Sequence, residues 1–284
     1  MSNADPLFLE NENIIKAEEY STSDGKKYQL HDLLAKSFEG TEFFPADFPY
    51  EMPPQPASTA KVEVTKETTI GCIMRLIKEG FQPCALNFAN GFRAGGGYII
   101  GNHAQEEACC RCSALYDTLV LPKCSTFYET HHKMLDRDHS TEGTDNLIFS
   151  PDVPIFRDPS EQFIPPITAS FITSPAPDLR FMNAPQSYLD QIMLSRVRKI
   201  IQLAVHKQQK ALILGAFGCG AFLHDPKNVV KYFEKVMKEE GYEHYFDKVV
   251  YAIYGGPPEN YLCFAQVFAP DQPRDQSKVQ IVVL

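Results

Sequence analysis

Residues 95–107 read GGGYIIGNHAQEE: the triplet Gly95-Gly96-Gly97, seven intervening residues, then Gln105-Glu106-Glu107. Three consecutive glycines strip every Cβ from a loop, so backbone N–H groups can approach a phosphate or ribose and take φ values that other residues avoid. The triplet therefore predicts a close-fitting anionic ligand. Glu106 and Glu107 open the apolar stretch ACCRCSALY at 108–116, which puts two carboxylates at the head of a helix, beside the bound group. Adjacent helical side chains diverge by about 100°, so one glutamate is expected to react and the other to orient.

Working outward, residues 84–89 (CALNFA) form a buried strand whose end delivers Asn87 and Asn90 to the triplet. These amides either contact the ligand or satisfy their own loop through Asx-type bonds. Gln105 likewise either contacts the ligand or caps the helix start, and Asn102 and His103 in the joining loop are candidate neighbours of the ribose. Further along, the apolar strand 211–214 runs into GAFGCGAF at 215–222, and Asp225-Pro226 then opens a helix that Gly241 closes. A glycine-rich loop between a buried strand and a helix is where open α/β sheets bind phosphates. The loop has neither the GxGxxG pattern nor the lysine of a P-loop, which leaves a plain strand-to-helix turn as the alternative.

The rest of the chain alternates in the same way and favours a layered α/β fold. Residues 61–64 read as a strand, Thr65 as the cap of a helix over 66–79, and residues 168–173 as another strand. Pro185 opens a long amphipathic helix with Leu189, Ile192, Met193, Val197, Ile200 and Ile201 on one face. A strand over 248–254 and a helix over 261–268 complete the pattern, while 125–166, rich in charge and proline, yields no clear element. Residues 1–57 read as an accessory segment with a short helix over 30–38. Prolines 45, 49, 53, 54 and 56 there block regular structure, and Phe43, Phe44, Phe48 and Tyr50 suggest packing on the main unit, 58–284.

A glycine triplet followed at this distance by Gln-Glu-Glu resembles the signature of poly(ADP-ribose) glycohydrolases, particularly their shorter microbial-type branch, which is a macrodomain variant. GAFGCGAF resembles the diphosphate loop of the same proteins, and the resemblance runs over about residues 60–268. It implies a three-layer α/β/α macrodomain with a mixed central sheet, preceded by the accessory segment. It also implies that Gly95, Gly96, Gly97 and Gln105 surround the ligand and that Asn87 and Asn90 reach the distal ribose. Gly218, Cys219, Gly220 and Ala221 would line the diphosphate, and Phe222 would pack on the ribose being cleaved. The implied reaction is hydrolysis of the ribose–ribose O-glycosidic bond, releasing ADP-ribose, with Glu107 as general acid. Glu106 would hold ribose hydroxyls and, as a close like charge, raise its partner's pKa. Ala94, where many relatives carry proline, and Leu223-His224 before Asp225 depart from the pattern. Two alternatives share the pocket: a mono(ADP-ribosyl)-protein hydrolase, and a non-catalytic ADP-ribose-binding macrodomain, which would not require the Glu pair. The partners implied are ADP-ribose units of poly(ADP-ribose) or of ADP-ribosylated proteins.

A formal charge of −9 argues against a DNA footprint, because backbone binding needs clustered Lys and Arg. It also means that an anionic polymer has to be gripped locally, through backbone N–H groups. No stretch has eighteen consecutive apolar residues and the start lacks a standard signal pattern. The eight irregularly spaced cysteines read as reduced thiols, so the expected location is cytoplasmic. Cys109, Cys110 and Cys112, with His131 and His132 downstream, lack the second ligand pair of a zinc site and read as core packing. Cys219 has only His224, beyond its loop, to activate it. Neither a metal nor a cofactor is expected.

Overall fold

Residues 248–252 (KVVYA) show how the layers arise. A strand sends successive side chains to opposite faces: Val249 and Tyr251 enter one buried cluster, Val250 and Ala252 a second. Cys84 and Leu86 against Ala85, and Leu212 and Leu214 against Ile213, repeat the division. These strands are apolar on both faces, so both faces must be covered by helices.

The computed structural model describes residues 4–270; the outer ends of the two assigned spans, 1–3 and 271–284, lie outside the described residues. Helix α1 (Pro6–Ala17) leads through a hairpin, β1 (Glu19–Ser21) and β2 (Lys27–Gln29), into α2 (His31–Gly40) and β3 (Glu42–Phe44). Then come β4 (Lys61–Thr65), α3 (Thr69–Lys78), β5 (Pro83–Ala89), α4 (Gln105–Cys112), α5 (Leu115–Leu119) and α6 (Ser125–Asp138). The antiparallel pair β6 (Leu147–Arg157) and β7 (Phe163–Pro175) precedes α7 (Gln186–His206), β8 (Ala211–Leu214), α8 (Pro226–Glu234), β9 (Lys248–Ala252) and α9 (Pro258–Phe268). Seven strands make one mixed sheet in the order β3-β6-β7-β5-β8-β9-β4. From β7 to β4 all neighbours are parallel, and β6 is antiparallel to both β3 and β7. Helices α7, α8 and α9 bury Val197, Phe233 and Phe264 on one face; α1 to α6 bury Ile14, Leu34, Ile73, Cys109, Leu115 and Phe127 on the other. This is the expected three-layer α/β/α architecture with a mixed sheet.

Several boundaries differ from the sequence reading, each for a local reason. Thr65 does not cap a helix; it ends β4, paired with Ala252, and the cap is Thr68, whose hydroxyl accepts from Gly71 N at 3.0 Å. β9 stops at Ala252, where the β4 ladder ends and Gly255 and Gly256 turn the chain with positive φ. α9 begins earlier than expected, with Pro258 at its first position, where proline lacks no needed N–H. The illegible stretch 125–166 holds α6 and the long β6. Pro151 falls in the register break between Ser150 and Val153, and Pro154 lies past Leu147–Phe149, where β3 pairs, on a side that beyond that point carries the isolated bridge of Ile155 with Ser113 in place of a full strand. Residues 4–57 place β3 at the edge of the main sheet, and Phe44, Phe48 and Tyr50 cluster around His206 of α7.

Candidate active site

The neighbouring parallel strands β5 and β8 both end at the same rim of the sheet, where α/β proteins open their crevices. Beyond β5, Asn90 Oδ1 accepts from Phe92 N at 2.9 Å and Arg93 N at 3.0 Å, an Asx turn that starts the glycine loop. Gly95 and Gly96 take φ of +67° and +57°. The loop closes onto α4: Glu107 Oε1 accepts from Gly97 N at 2.8 Å, and Oε2 accepts from Ala104 N at 3.1 Å, the Glu half of a capping box. Gln105 does not cap. Its Oε1 accepts from Phe88 N at 2.9 Å, while Nε2 donates to Leu86 O at 2.9 Å and Thr69 Oγ1 at 3.0 Å, stitching α4 to β5 and α3.

Although neighbours on a helix diverge, the two carboxylates converge on one glycine. A Cβ at Gly96 would lie 2.5 Å from Glu107 Oε1 and 3.1 Å from Glu106 Oε2. The absence of a side chain there makes room for the acids themselves, a second reason for the triplet beyond ligand approach. Glu106 is 2% exposed and accepts from Asn90 N at 2.8 Å and Asn87 Nδ2 at 3.1 Å. Burial pushes its carboxyl up to about 8, against the pull of those two donors and with the charge of Glu107 adding to the push.

Opposite lies the loop at 215–222. Gly218, with φ of +79°, packs so closely that a Cβ would meet His224 Cδ2 at 2.8 Å and Ala176 Cβ at 2.9 Å, whereas a Cβ at Gly220 would meet nothing within 4 Å. One glycine holds the loop's shape and the other faces open space. His224 Nε2 pairs with Pro177 O at 2.8 Å, so the unusual Leu223-His224 exit ties this loop to the segment after β7.

The two loops enclose a cleft of about 450 Å³. Of the residues expected there, Asn90, Gly96, Gly97, Gln105, Glu106 and Glu107 line one wall, and Gly218, Gly220, Ala221 and Phe222 the other. Asn102 and His103 also line it. Three expected residues stand behind the wall. Asn87, fully buried, spends its Nδ2 on Glu106 and on Thr173 Oγ1 at 3.2 Å. Gly95 packs against Tyr116, and the Cys219 thiol, pushed up to about 12 by burial, faces Phe217 O. Phe88, Arg93, Ala176, Arg180 and Phe217 line the cleft without having been foreseen. Ala176 and Arg180 follow β7, whose pairing with β5 no local signal reveals; Phe88 was legible as the residue after Asn87 at a strand end. All eight cysteines are free thiols, and among the described residues no group of three or more His, Cys, Asp or Glu side chains is arranged to hold a metal ion. No helix among the described residues is long and apolar enough to cross a membrane.

Residues 9–158 match the family described as microbial-type PARG, catalytic domain. Among solved structures, the fold is similar to poly(ADP-ribose) glycohydrolase from Thermomonospora curvata, with 30% identity, a TM-score of 0.85, and coverage of 92% of this chain and 98% of that one. The same enzyme bound to the inhibitor ADP-HPD aligns with a TM-score of 0.82 at the same identity and coverage. Poly(ADP-ribose) glycohydrolase from Deinococcus radiodurans in complex with ADP-ribose aligns with 33% identity and a TM-score of 0.73, over 82% of this chain and 95% of that one. A search of curated proteins finds no match. Two glycine loops facing each other across a cleft, a glutamate pair at its wall and these relatives agree: the chain belongs to the microbial-type poly(ADP-ribose) glycohydrolase family, and with it to the glycosidase-type hydrolases.

Proposed function

We propose that this protein hydrolyses the ribose–ribose O-glycosidic bond of poly(ADP-ribose) and releases ADP-ribose, with Glu107 as general acid. The observation that carries the reading is the convergence of Glu106 and Glu107 on Gly96 at the wall of a cleft whose far side is a second glycine loop. That arrangement offers backbone approach for a diphosphate and acid chemistry for the bond attached to it.

Cleavage of a glycosidic bond passes through an oxocarbenium-like state, so the leaving oxygen needs a proton and the ring needs nearby negative charge. Glu107, fixed through both oxygens by Gly97 N and Ala104 N, gives the proton and then takes one from the attacking water. Glu106, held by Asn87 and Asn90, orients ribose hydroxyls. The substrate's own diphosphate adds negative charge near the ring. Residues Gly218, Gly220 and Ala221 cradle that diphosphate, and Phe222 packs on the ribose. A relative's structure with ADP-ribose bound supports a single ADP-ribose unit as the ligand that the cleft takes. Incubation with automodified polymer and, separately, with mono-ADP-ribosylated protein tests the reading. Release of ADP-ribose from polymer is expected; release only from the mono-modified protein assigns the other hydrolase activity, and binding without release assigns a reader.

A further inference from the structure

Arg180 sits on the cleft wall supplied by the segment after β7, and three features fix it there. Its Nε donates to Asp178 Oδ1 at 2.9 Å and its Nη2 to Asp178 Oδ2 at 2.7 Å, a two-pronged pair that sets the plane of the guanidinium. The Arg180 N–H also donates to Asp178 Oδ1, at 3.1 Å. Finally, the guanidinium carbon lies 5.6 Å from the centre of the Phe222 ring, within the range of cation–π contact.

Asp178 is itself nearly buried. Its N–H donates to Thr141 O at 3.0 Å, and its carbonyl accepts from Thr141 Oγ1 at 2.9 Å. Leu179 N donates to Phe222 O at 3.2 Å, and His224 pairs with Pro177 O, so the segment carrying Arg180 is bound on both sides to the second glycine loop. The remaining nitrogen, Nη1, donates to no acceptor among the described residues. A guanidinium held rigid by its Nε–Nη2 edge, with Nη1 unspent and a cleft beside it, is preorganised for an oxyanion. Arg93, on the facing loop, has no such partner holding its side chain among the described residues.

From this geometry we propose that Arg180 binds a phosphate oxygen of the substrate and that Asp178 is its positioning residue. The inference rests on the ADP-ribose reading above. It resolves how a chain of net charge −9 grips an anionic polymer: one oriented cation beside the second glycine loop takes the place of a basic track. The phosphate belongs either to the diphosphate of the unit in the cleft or to the adjoining unit of the polymer.

The test compares wild type with Arg180→Ala, Arg180→Met and Asp178→Asn, measuring ADP-ribose affinity by calorimetry and kcat and KM on polymer. Loss of one charge-assisted hydrogen bond corresponds to about a tenfold or greater weakening. Arg180→Ala and Arg180→Met should both raise KM by that factor with kcat little changed, and Asp178→Asn should raise it less. If ADP-ribose affinity falls in parallel, the phosphate is that of the bound unit; if it is unchanged while KM on polymer rises, the phosphate is the adjoining unit's. Wild-type KM and affinity in Arg180→Met overturn the inference, leaving Arg180 as packing on Phe222. A wild-type protein that neither binds ADP-ribose nor cleaves polymer instead overturns the functional reading itself.

Discussion

The side-chain amide of Asn87 donates to Glu106 Oε1 at 3.1 Å from inside the sheet, and the same nitrogen reaches Thr173 Oγ1 at 3.2 Å on the neighbouring strand. Strand β5, its partner β7 and the helix bearing the acids are thereby locked through one fully buried atom. Replacing Asn87 by alanine leaves a buried carboxyl oxygen without its donor, and such a loss costs about 1–3 kcal/mol. Asn87→Ala should lower stability by that amount in denaturant unfolding and reduce turnover through misplacement of Glu106. An unchanged unfolding midpoint would mean that the amide is idle.

Glu106 also makes stability depend on pH. Its folded-state carboxyl is raised from the ordinary 4.5 to about 8, so the folded chain holds this proton more tightly than the unfolded chain. The contribution is fully present below about pH 4.5 and is lost as pH rises through about 8, with a slope of about 1.4 kcal/mol per pH unit in between. Glu106→Gln carries no titrating group and should flatten that part of the curve. Thermal unfolding of both proteins across this window checks it: parallel curves would show that the proton is not held at Glu106.

A methyl group on Gly96 meets the chemistry directly. Its Cβ would fall 2.5 Å from Glu107 Oε1, and the residue sits at φ of +57°, where an L side chain costs roughly 1–2 kcal/mol. Gly96→Ala should therefore displace the Glu107 carboxylate and depress kcat more than ADP-ribose affinity. Gly220→Ala should do the reverse, because a Cβ there meets no protein atom within 4 Å and, on the cleft wall, would take space from the ligand proposed above. Equal effects at both positions would remove the distinction between a glycine that makes room for acids and one that makes room for ligand.

The contrast between those two glycines marks what could be read from the chain. The triplet, the Gln-Glu-Glu and GAFGCGAF announce themselves by composition, and β5, β8, α7 and α8 follow from apolar periodicity, so both loops and most of the cleft were legible. The partners of the acids were less so. Gln105 could be read as a ligand contact or a cap, but its amide is consumed by Phe88 N, Leu86 O and Thr69 Oγ1, and those positions converge only after folding. Arg180 lay hidden in PAPDLR for the same reason: what brings it to the cleft is the parallel pairing of β7 with β5, a long-range contact. Asn11 is a further case. Its Nδ2 donates to Tyr98 Oη at 2.8 Å and Arg111 O at 2.9 Å, bracing the glycine loop and the end of α4 from α1, yet in sequence it is one more polar residue in a charged opening.

The two glutamates should respond differently to the same isosteric change. A glutamine at 106 stands in for a carboxyl whose protonated form burial favours, keeps an acceptor for one of the two donors from Asn87 and Asn90, and should cost little turnover. A glutamine at 107 removes the transferable proton, and general acid catalysis contributes about 10²–10⁴-fold. It also sets an NH₂ against either Gly97 N or Ala104 N, each of which now donates to a carboxylate oxygen, so some loss of loop order accompanies it. Affinity separates the two effects. Glu107→Gln should lose turnover on polymer by at least about 10²-fold while ADP-ribose still binds within a few-fold of wild type, and Glu106→Gln should keep most of its activity. If Glu106→Gln is the inactive variant and Glu107→Gln turns over normally, the proton comes from the carboxyl that burial raises, and the roles assigned to the pair exchange.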